Sequence, residues 1–388
     1  MIPSTTFLLL CGTGVLCFLS YNLVRMPVLS LFAQSLGAGP ETIGLVVSLS
    51  TLTGVFLKLP SGALSDIYGR RMLMRIGVVA FGLPPFLYPF ITNLDALMML
   101  RLTHGLATAI FAPTALATVA ELYPTTRGAA LGWYTASTQA GSLLGPVIGG
   151  WLVYSAGFST TFVTSGIFGC IGILLFYLLH LNPPPPRDRR DRGLAAVVGE
   201  MWKGFQIVAK NRRVLITSLA DAAKMIANGA LMAFLPIYGL TIGLNPGQVG
   251  LLFGVQGITS FLSKPVMGRV SDRMGRRPLI LIGLLICAGT FGLMPYVSGI
   301  VALLLLSSGF GFGEAVVSSS TAAFVADSSE FKRLGAGLGM QGTIMDIGHA
   351  SGPLLAGLLI GQFSYAGAFG VIGVLQLIAA ITFYLSTR

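Results

Sequence analysis

Apolar runs of about 20 residues recur along the whole 388-residue chain, and each can cross the roughly 30 Å hydrocarbon core of a bilayer as an α-helix. Hydrophobic residues make up 54% of the chain and charged residues only 10%, whereas soluble domains carry about 25% charged residues. In lipid, backbone polar groups must be satisfied within the spanning element, which favours helices over open sheets. The predicted fold class is therefore all-α integral membrane, with the lipid bilayer as a partner.

Twelve such runs are present, and we number them spans 1 to 12. The first run lacks the basic flank and the cleavage site of a signal peptide, so we expect it to be retained as a helix. The predicted spans are 6–33, 42–61, 72–92, 95–118, 128–153, 158–181, 213–240, 247–267, 278–297, 299–325, 335–360 and 365–386.

Basic residues are concentrated in alternate loops. The loops at 92–94, 155–157 and 243–246 contain no Lys or Arg, whereas those at 70–75 and 269–277 carry clusters of them. Because Lys and Arg accumulate in cytoplasmic loops, we expect both termini to lie in the cytoplasm, at a bacterial-type plasma (inner) membrane. The net charge of +11 reflects this bias, and we predict no nucleic-acid partner.

Residues 182–212 separate the chain into two halves. This segment contains four consecutive prolines at 183–186, followed by a run of Arg and Asp at 187–192, a composition typical of a stiff, solvated tether. The chain is therefore predicted to form an N-terminal six-helix bundle, a cytoplasmic Pro/Arg-rich linker and a C-terminal six-helix bundle. Their predicted bounds are 1–181, 182–212 and 213–388.

An internal repeat relates the two halves. The decapeptide GALSDIYGRR at 62–71 returns as GRVSDRMGRR at 268–277, an offset of 206 residues, and the Gly-Pro pair at 145–146 returns at 352–353. Two copies of a six-helix unit in parallel orientation, with a binding site between them at mid-membrane depth, form a known architecture of secondary transporters.

These motifs resemble those of the major facilitator superfamily over the whole length of the chain. Both decapeptides resemble its loop motif G-x-L-x-D-R-x-G-R-[RK], with departures at Ile67 and Val270. RLTHG at 101–105 resembles the family's arginine motif, and GSLLGPVIGG at 141–150 resembles a signature of its drug–proton antiporter branch. The resemblance implies two bundles related by pseudo-two-fold symmetry, with spans 1, 4, 7 and 10 lining the cavity. We expect a monomer.

The loop motifs suit a latch that forms and breaks as a rocking transporter changes state. Their glycines allow a tight turn and close approach, and Asp66 can sit at the positive end of a helix near 333–335. Arg70 and Arg71 can pair with Glu121 or with acids near span 10. Exposed pairs contribute about 0–1 kcal/mol each; alternatively, the arginines only fix topology. The predicted gating residues are Gly62, Asp66, Gly69, Arg70, Arg71, Glu121, Arg127, Gly268, Asp272, Gly275, Arg276, Arg277 and Asp327.

Span 5 carries glycines at three- and four-residue steps together with a proline. A ridge without side chains lets helix backbones approach closely, and the proline removes an intrahelical hydrogen bond. We predict a hinge here, with simple helix packing as the alternative. The predicted hinge residues are Gly141, Gly145, Pro146, Gly149 and Gly150.

Several ionisable residues lie well inside the predicted spans, where charge is costly and usually functional. At 1.5 Å per residue, Asp346 lies about 16 Å along span 11, near mid-bilayer, and His349 shares its face. An acid in such a place can load a proton from one side and release it on the other, although a pair such as Asp221–Lys224 can instead only stabilise packing. The predicted coupling and cavity residues are Asp346, Glu314, Asp221, Lys224, Arg25, Arg101, His104 and His349.

These features favour a transporter that couples the movement of a small-molecule substrate to the movement of protons. The span-5 signature and the intramembrane acids favour a proton-driven exporter of amphipathic molecules. The intramembrane cations Arg25, Arg101 and Lys224 motivate the alternative, a proton symporter that imports an anionic metabolite or a metal chelate. A sensor without transport has no specific feature in its favour.

Other classes find no support in the sequence. No G-x-x-x-x-G-K-[ST] phosphate-binding loop is present, which disfavours ATP-driven transport, and no nucleophile–base constellation suggests an enzyme. The four cysteines lie in apolar runs and form no CxxC pair, so we predict neither a metal site nor a cofactor.

Overall fold

The computed structural model describes residues 4–180, 210–328 and 334–387, together with Gly199 and Gln206, except for the side chains at 59, 63, 66 and 334–336. Most of the predicted linker at 182–212 therefore lies outside the described residues. The helices are α1 Thr5–Arg25, α2 Val28–Ser35, α3 Pro40–Tyr68, α4 Arg70–Gly82, α5 Leu94–Leu122, α6 Arg127–Tyr177, α7 Arg212–Thr241, α8 Pro246–Met274, α9 Arg276–Leu293, α10 Ile300–Ser328, α11 Leu334–Gln362 and α12 Tyr365–Ser386. Two 3-10 turns, Pro84–Phe90 and Met294–Tyr296, follow α4 and α9.

Within the described chain, eleven helical stretches are long and apolar enough to cross a membrane. One of them, α6, has 51 residues, about 76 Å at 1.5 Å per residue, which is more than twice the bilayer core. Gly157 interrupts α6 with φ of 78° and ψ of 179°, so spans 5 and 6 are two helices joined end to end. The chain is an all-α integral membrane protein, as predicted.

Prolines alter two of the predicted spans. The sequence predicts one helix over 6–33, but α1 ends at Arg25 and α2 begins at Val28, because Pro27 lacks an N–H group and clashes with the preceding turn. The sequence also predicts one helix over 72–92, but α4 ends at Gly82 and a 3-10 turn with prolines at its first two positions follows.

The loop motifs are helical for most of their length, which corrects the predicted turn and close approach at Gly62. Helices α3 and α8 run up to the residues just before Gly69 and Gly275, so Gly62 and Gly268 lie inside helices. A Cβ added at either would meet none of the described atoms within 4 Å. Only Gly69 and Gly275 leave the helical conformation, with φ of 93° and 92°, values that favour glycine.

The described helices pack into two compact units. The first comprises Met1–Gly37 and Leu49–Gly199, and the second comprises Ala38–Ser48 and Glu200–Arg388. The first unit has a core of side chains from α1, α4, α5 and α6, among them Leu10, Phe81, Phe111 and Phe176. In the second unit α7, α9, α10 and α12 enclose a core that includes Ala220, Leu284, Val317 and Phe383. The boundaries predicted at 181 and 213 stay a prediction.

The internal repeat is also a repeat of helix packing. In the first unit α6 crosses α1 so closely that a Cβ added at Gly141 would overlap the carbonyl oxygen of Val15. In the second unit α11 crosses α7, and a Cβ added at Gly348 would lie 2.6 Å from the carbonyl oxygen of Ala222. Both partners shift by the same 207 residues, from 141 to 348 and from 15 to 222. Glycine at these positions therefore permits direct backbone contact between helices.

The first turns of α3 belong to the second unit, where they pack on α11. Ser48 Oγ donates a hydrogen bond of 2.7 Å to the carbonyl oxygen of Ala350. A Cβ added at Gly44 would overlap the carbonyl oxygen of Pro353, and one added at Gly357 would lie 2.6 Å from that of Pro40. The helix α3 thus contributes residues to both units.

Candidate functional site

A buried ion pair lies inside the second unit. Lys224 Nζ is 2.7 Å from Asp221 Oδ1, one turn earlier on α7, and the side chains are 0% and 1% exposed. The i, i+3 spacing places both groups on one helix face, as the sequence indicates. A pair this deeply buried requires further hydrogen bonds to offset the loss of hydration.

Side chains from two other helices supply those hydrogen bonds. Lys224 Nζ donates to Ser318 Oγ on α10 at 2.7 Å. Asp221 Oδ2 accepts from Thr321 Oγ1 at 3.0 Å and from Gln341 Nε2 on α11 at 2.9 Å. We call these five residues the α7–α10–α11 cluster, and it joins three helices through one carboxylate and one ammonium group.

Glu314 lies one turn before Ser318 on α10 and is half-buried. It interacts electrostatically with Lys224, but among the described residues it accepts no hydrogen bond and forms no ion pair. A carboxylate midway along a membrane-spanning helix is unfavourable when it lacks such donors. Glu314 is therefore a half-buried acid whose charge no close contact among the described residues compensates.

In the first unit, Arg101 on α5 is fully buried, with 0% of its surface exposed. Its guanidinium donates to Tyr88 Oη at 3.3 Å and to Ser50 Oγ, and it lies over the Tyr21 ring at 5.9 Å from the centroid. Within the described part of the chain no carboxylate lies within salt-bridge distance of it, and Nε has no hydrogen-bond partner. Hydroxyl groups and an aromatic ring thus surround this buried cation.

His104 belongs to the same group of side chains. Its Nδ1 lies 3.0 Å from Tyr88 Oη, and its ring packs edge-to-face on Tyr21 at 4.9 Å between centroids. Arg25, the last residue of α1, approaches Tyr21 at 5.7 Å and donates to Thr51 Oγ1 at 3.1 Å. The structure therefore brings together Arg25, Arg101 and His104, three of the predicted cavity residues, around Tyr21.

Asp346 and His349 lie one turn apart on α11, and both are half-buried. They flank Gly348, which touches the α7 backbone at Ala222, so this part of α11 is fixed close to α7. The predicted role of Asp346 in coupling stays a prediction.

The loop motifs form ion pairs within their own units. Arg70 Nη2 lies 3.1 Å from Glu121 Oε1, and Arg70 also donates to Ser65 Oγ. The Asp66 side chain lies outside the described residues, as do residue 333 and the side chains at 334–336. The predicted contact between Asp66 and that helix end therefore stays a prediction.

The second copy of the motif repeats the pairing. Arg276 Nε lies 3.2 Å from Asp327 Oδ2, and Arg276 also pairs with Asp272. Arg277 instead donates to the end of α12, at Thr387 Oγ1 and at the carbonyl oxygen of Tyr384.

Two other arginines among the predicted gating residues are exposed and lie outside these ion pairs. Arg71 is exposed. Arg127 is exposed and donates to the carbonyl oxygen of Ala120 at 3.3 Å.

The predicted hinge residues lie inside α6, and three of them, Gly141, Gly145 and Gly149, face α1. A Cβ at Gly145 would lie 2.7 Å from Asn22 Cβ, and one at Gly149 would overlap the carbonyl oxygen of Leu23. The helix continues through Pro146 without a non-helical residue, and Gly150 is buried. The close packing is thus present, whereas bending at this point stays a prediction.

The uncharged members of both polar groups are not predicted from the sequence. They are Tyr21, Ser50 and Tyr88 in the first unit and Ser318, Thr321 and Gln341 in the second. One signal was available for Ser318 and Thr321, because a run of four hydroxyl residues at 318–321 interrupts an otherwise apolar span. Tyr88 and Gln341 carry no comparable signal.

Comparison with known proteins identifies relatives over the full length of the chain. The model of the Major Facilitator Superfamily matches residues 9–245 and 217–388. A multi-drug resistance efflux pump PmrA homolog of Lactococcus lactis is 26% identical over 372 residues, which are 92% of this chain and 89% of the relative.

Solved structures share the fold. A variant of the nucleoside transporter NupG superposes with a TM-score of 0.84 at 15% identity, covering 99% of this chain and 100% of that one. A D-xylose–proton symporter superposes with a TM-score of 0.76 at 16% identity, covering 97% and 96%. At sequence identities this low, the similarity shows a shared fold and nothing further about function.

Proposed function

The chain belongs to the Major Facilitator Superfamily of membrane transporters, and we propose that it exports small amphipathic molecules in exchange for protons by alternating access. The relationship to a multi-drug resistance efflux pump homolog and the resemblance of 141–150 to the drug–proton antiporter signature support this direction of transport. We place both termini in the cytoplasm and propose that the protein works as a monomer in a bacterial-type inner membrane.

The observation that carries the proposal is the half-buried carboxylate of Glu314 in the middle of α10. A carboxylate there is costly unless a positive charge compensates it, and either a proton or a cationic substrate can do so. Two acids that together hold either a proton or a cationic substrate, but not both at once, exchange one for the other. Antiport requires this property.

Asp346 is the second acid proposed to take part. It lies near the middle of α11 and is half-buried, so a proton could be carried there while Glu314 contacts the substrate. The loop motif around Asp66 and Arg70 would act as a latch between states, since pairs of this strength can form and break in each cycle.

The alternative function is proton symport that imports an anionic metabolite or a metal chelate. A specific observation favours it, because Arg101 is fully buried and has no carboxylate in contact among the described residues. A substrate anion would compensate such a charge. The D-xylose–proton symporter among the structural relatives shows that the fold accommodates proton symport.

Transport into inverted membrane vesicles that contain the protein distinguishes the two functions. With an inside-acid proton gradient, an antiporter takes up a lipophilic cation such as ethidium and dissipates the gradient as it does so. Glu314→Gln vesicles should lose this uptake, and vesicles with Asp95→Asn, an exposed carboxyl group at the start of α5, should keep it. Uptake that needs the opposite gradient, or only anionic substrates, would favour the symporter.

A further inference from the structure

The buried ammonium group of Lys224 contacts two oxygen atoms. Its Nζ lies 2.7 Å from Asp221 Oδ1 and 2.7 Å from Ser318 Oγ, and none of the side chain is exposed. Carboxylate and hydroxyl oxygens are the ligands that hard metal cations such as Na⁺ also prefer. In this protein the cation at these oxygen atoms is the ammonium group of Lys224.

The anionic side of the cluster is held in place independently of the lysine. Asp221 Oδ2 accepts hydrogen bonds from Thr321 and from Gln341, and Gln341 Nε2 also lies 3.1 Å from Thr321 Oγ1. These donors come from α10 and α11, while the carboxylate belongs to α7. The carboxylate would therefore stay oriented if the lysine side chain were shortened.

We propose that the α7–α10–α11 cluster is a binding site for a small monovalent cation, and that in this protein the Lys224 ammonium occupies it permanently. One carboxylate contacts the ammonium, which suits a single positive charge, whereas divalent cations are held by more carboxylates or by six to eight oxygen ligands. The tethered ammonium binds without the entropic cost of capturing a free ion. The wild-type protein therefore needs no dissolved cation at this position.

The proposal predicts that truncating the lysine opens the site to an external ion. Lys224→Ala removes the ammonium but leaves Asp221, Ser318, Thr321 and Gln341 in place. The isolated buried carboxylate then destabilises the folded protein, and a cation that binds only the folded state restores stability in proportion to its concentration. Sodium and methylammonium are suitable probes, since methylammonium reproduces the missing end of the side chain.

The experiment compares thermal unfolding of detergent-purified wild type, Lys224→Ala and Asp221→Asn/Lys224→Ala in choline, sodium or methylammonium chloride at one ionic strength. We expect sodium or methylammonium to raise the midpoint of Lys224→Ala by roughly 2 °C or more relative to choline, and to leave the wild type unchanged. The double variant, which lacks the anionic ligand, should show no shift. Stability and not transport is measured, so the result is independent of the proposed antiport.

Three outcomes would overturn the proposal. The first is a folded Lys224→Ala protein whose midpoint is the same in all three salts. The second is an equal cation response in the double variant, which would place the ion elsewhere, for example at Glu314. The third is a Lys224→Ala protein that elutes as aggregate in every salt while the double variant elutes as a single folded species, because a filled cation site should rescue the single variant.

Discussion

The guanidinium group of Arg70 lies 3.1 Å from the carboxylate of Glu121, and this relationship recurs 206 residues later, where Arg276 Nε lies 3.2 Å from Asp327 Oδ2. In each unit the arginine is the first residue after the positive-φ glycine that ends the preceding helix. The acid lies near the end of the next long helix, α5 or α10. The duplicated decapeptide therefore encodes a duplicated ion pair as well as a turn.

The two copies of this ion pair differ in burial, which predicts different strengths. The side chains of Arg70 and Glu121 are 13% and 24% exposed, whereas Asp327 is 62% exposed and its pair is more strongly screened. A double-mutant cycle with Arg70→Gln and Glu121→Gln should give a coupling energy of about 1 kcal/mol. The matched cycle with Arg276→Gln and Asp327→Asn should give a smaller value.

Thermal unfolding in detergent measures both cycles, and vesicle transport measures their effect on turnover. The charge-reversed protein Arg70→Glu/Glu121→Arg should recover part of the transport that either single reversal loses. Equal coupling in the two copies, or a larger value for the pair at 276 and 327, would contradict the ranking by burial.

The spacing of residues along a helix predicts contacts within that helix only. Asp221 and Lys224 are three residues apart, so helix geometry alone places them together. Their further partners Ser318 and Gln341 are 94 and 120 residues from the members of the pair they contact, and no local spacing reports such a distance. The same limit applies to Arg101, whose partner Ser50 is 51 residues away.

Hydropathy identifies the apolar part of a helix, but it does not identify the residue at which the helix ends. The spans predicted over 42–61 and 247–267 stop where the apolar run stops, but α3 and α8 continue to Tyr68 and Met274, because a helix keeps its backbone hydrogen bonds whether its side chains are apolar or polar. Pro27, within an apolar run, ends α1 for a reason that hydropathy does not contain.

The orientation inferred from Lys and Arg placement predicts which loops face outward. In a protein whose four cysteines have been replaced, single cysteines at Thr92, Ser155 and Ser298, all exposed loop or helix-end positions, should react with an impermeant maleimide in intact cells. A cysteine at Thr125, exposed between α5 and α6, should react only after the membrane is permeabilised. Labelling of Thr125→Cys in intact cells would reverse the proposed topology.

The backbone contact between α11 and α7 predicts a position-specific effect of a single methyl group. A Cβ at Gly348 would lie 2.6 Å from the Ala222 carbonyl oxygen, whereas one at Gly342 on the same helix would meet none of the described atoms within 4 Å. Gly348→Ala should therefore destabilise the protein by about 1–3 kcal/mol. Gly342→Ala should be neutral or slightly stabilising, since alanine favours helix.

Thermal unfolding of the two alanine variants tests this packing, and Gly141→Ala extends the test to the first unit, where the added Cβ would overlap the Val15 carbonyl oxygen. Because the helix packing repeats in the two units, Gly141→Ala and Gly348→Ala should be destabilised to a similar extent. Similar midpoints for Gly348→Ala and Gly342→Ala would mean that α7 and α11 do not approach as closely as described.

The proposed division of roles between Asp346 and Glu314 predicts two different defects. A proton carrier must change charge during the cycle, and an amide cannot titrate, so Asp346→Asn should bind substrate but lose accumulation driven by the proton gradient. Glu314→Gln removes the proposed counter-ion of a cationic substrate, so it should weaken binding of a lipophilic cation by roughly tenfold, equivalent to about 1.4 kcal/mol. Asp95→Asn, the exposed control, should resemble wild type in both respects.

Two measurements on each purified variant separate these defects, namely equilibrium binding of ethidium in detergent and proton release into weakly buffered medium when substrate is added. Wild type should release protons on binding. Asp346→Asn should bind ethidium with little release, and Glu314→Gln should require about ten times more ethidium to reach the same occupancy. If both variants bind ethidium and release protons as wild type does, neither acid takes part in coupling and the proposed exchange is wrong.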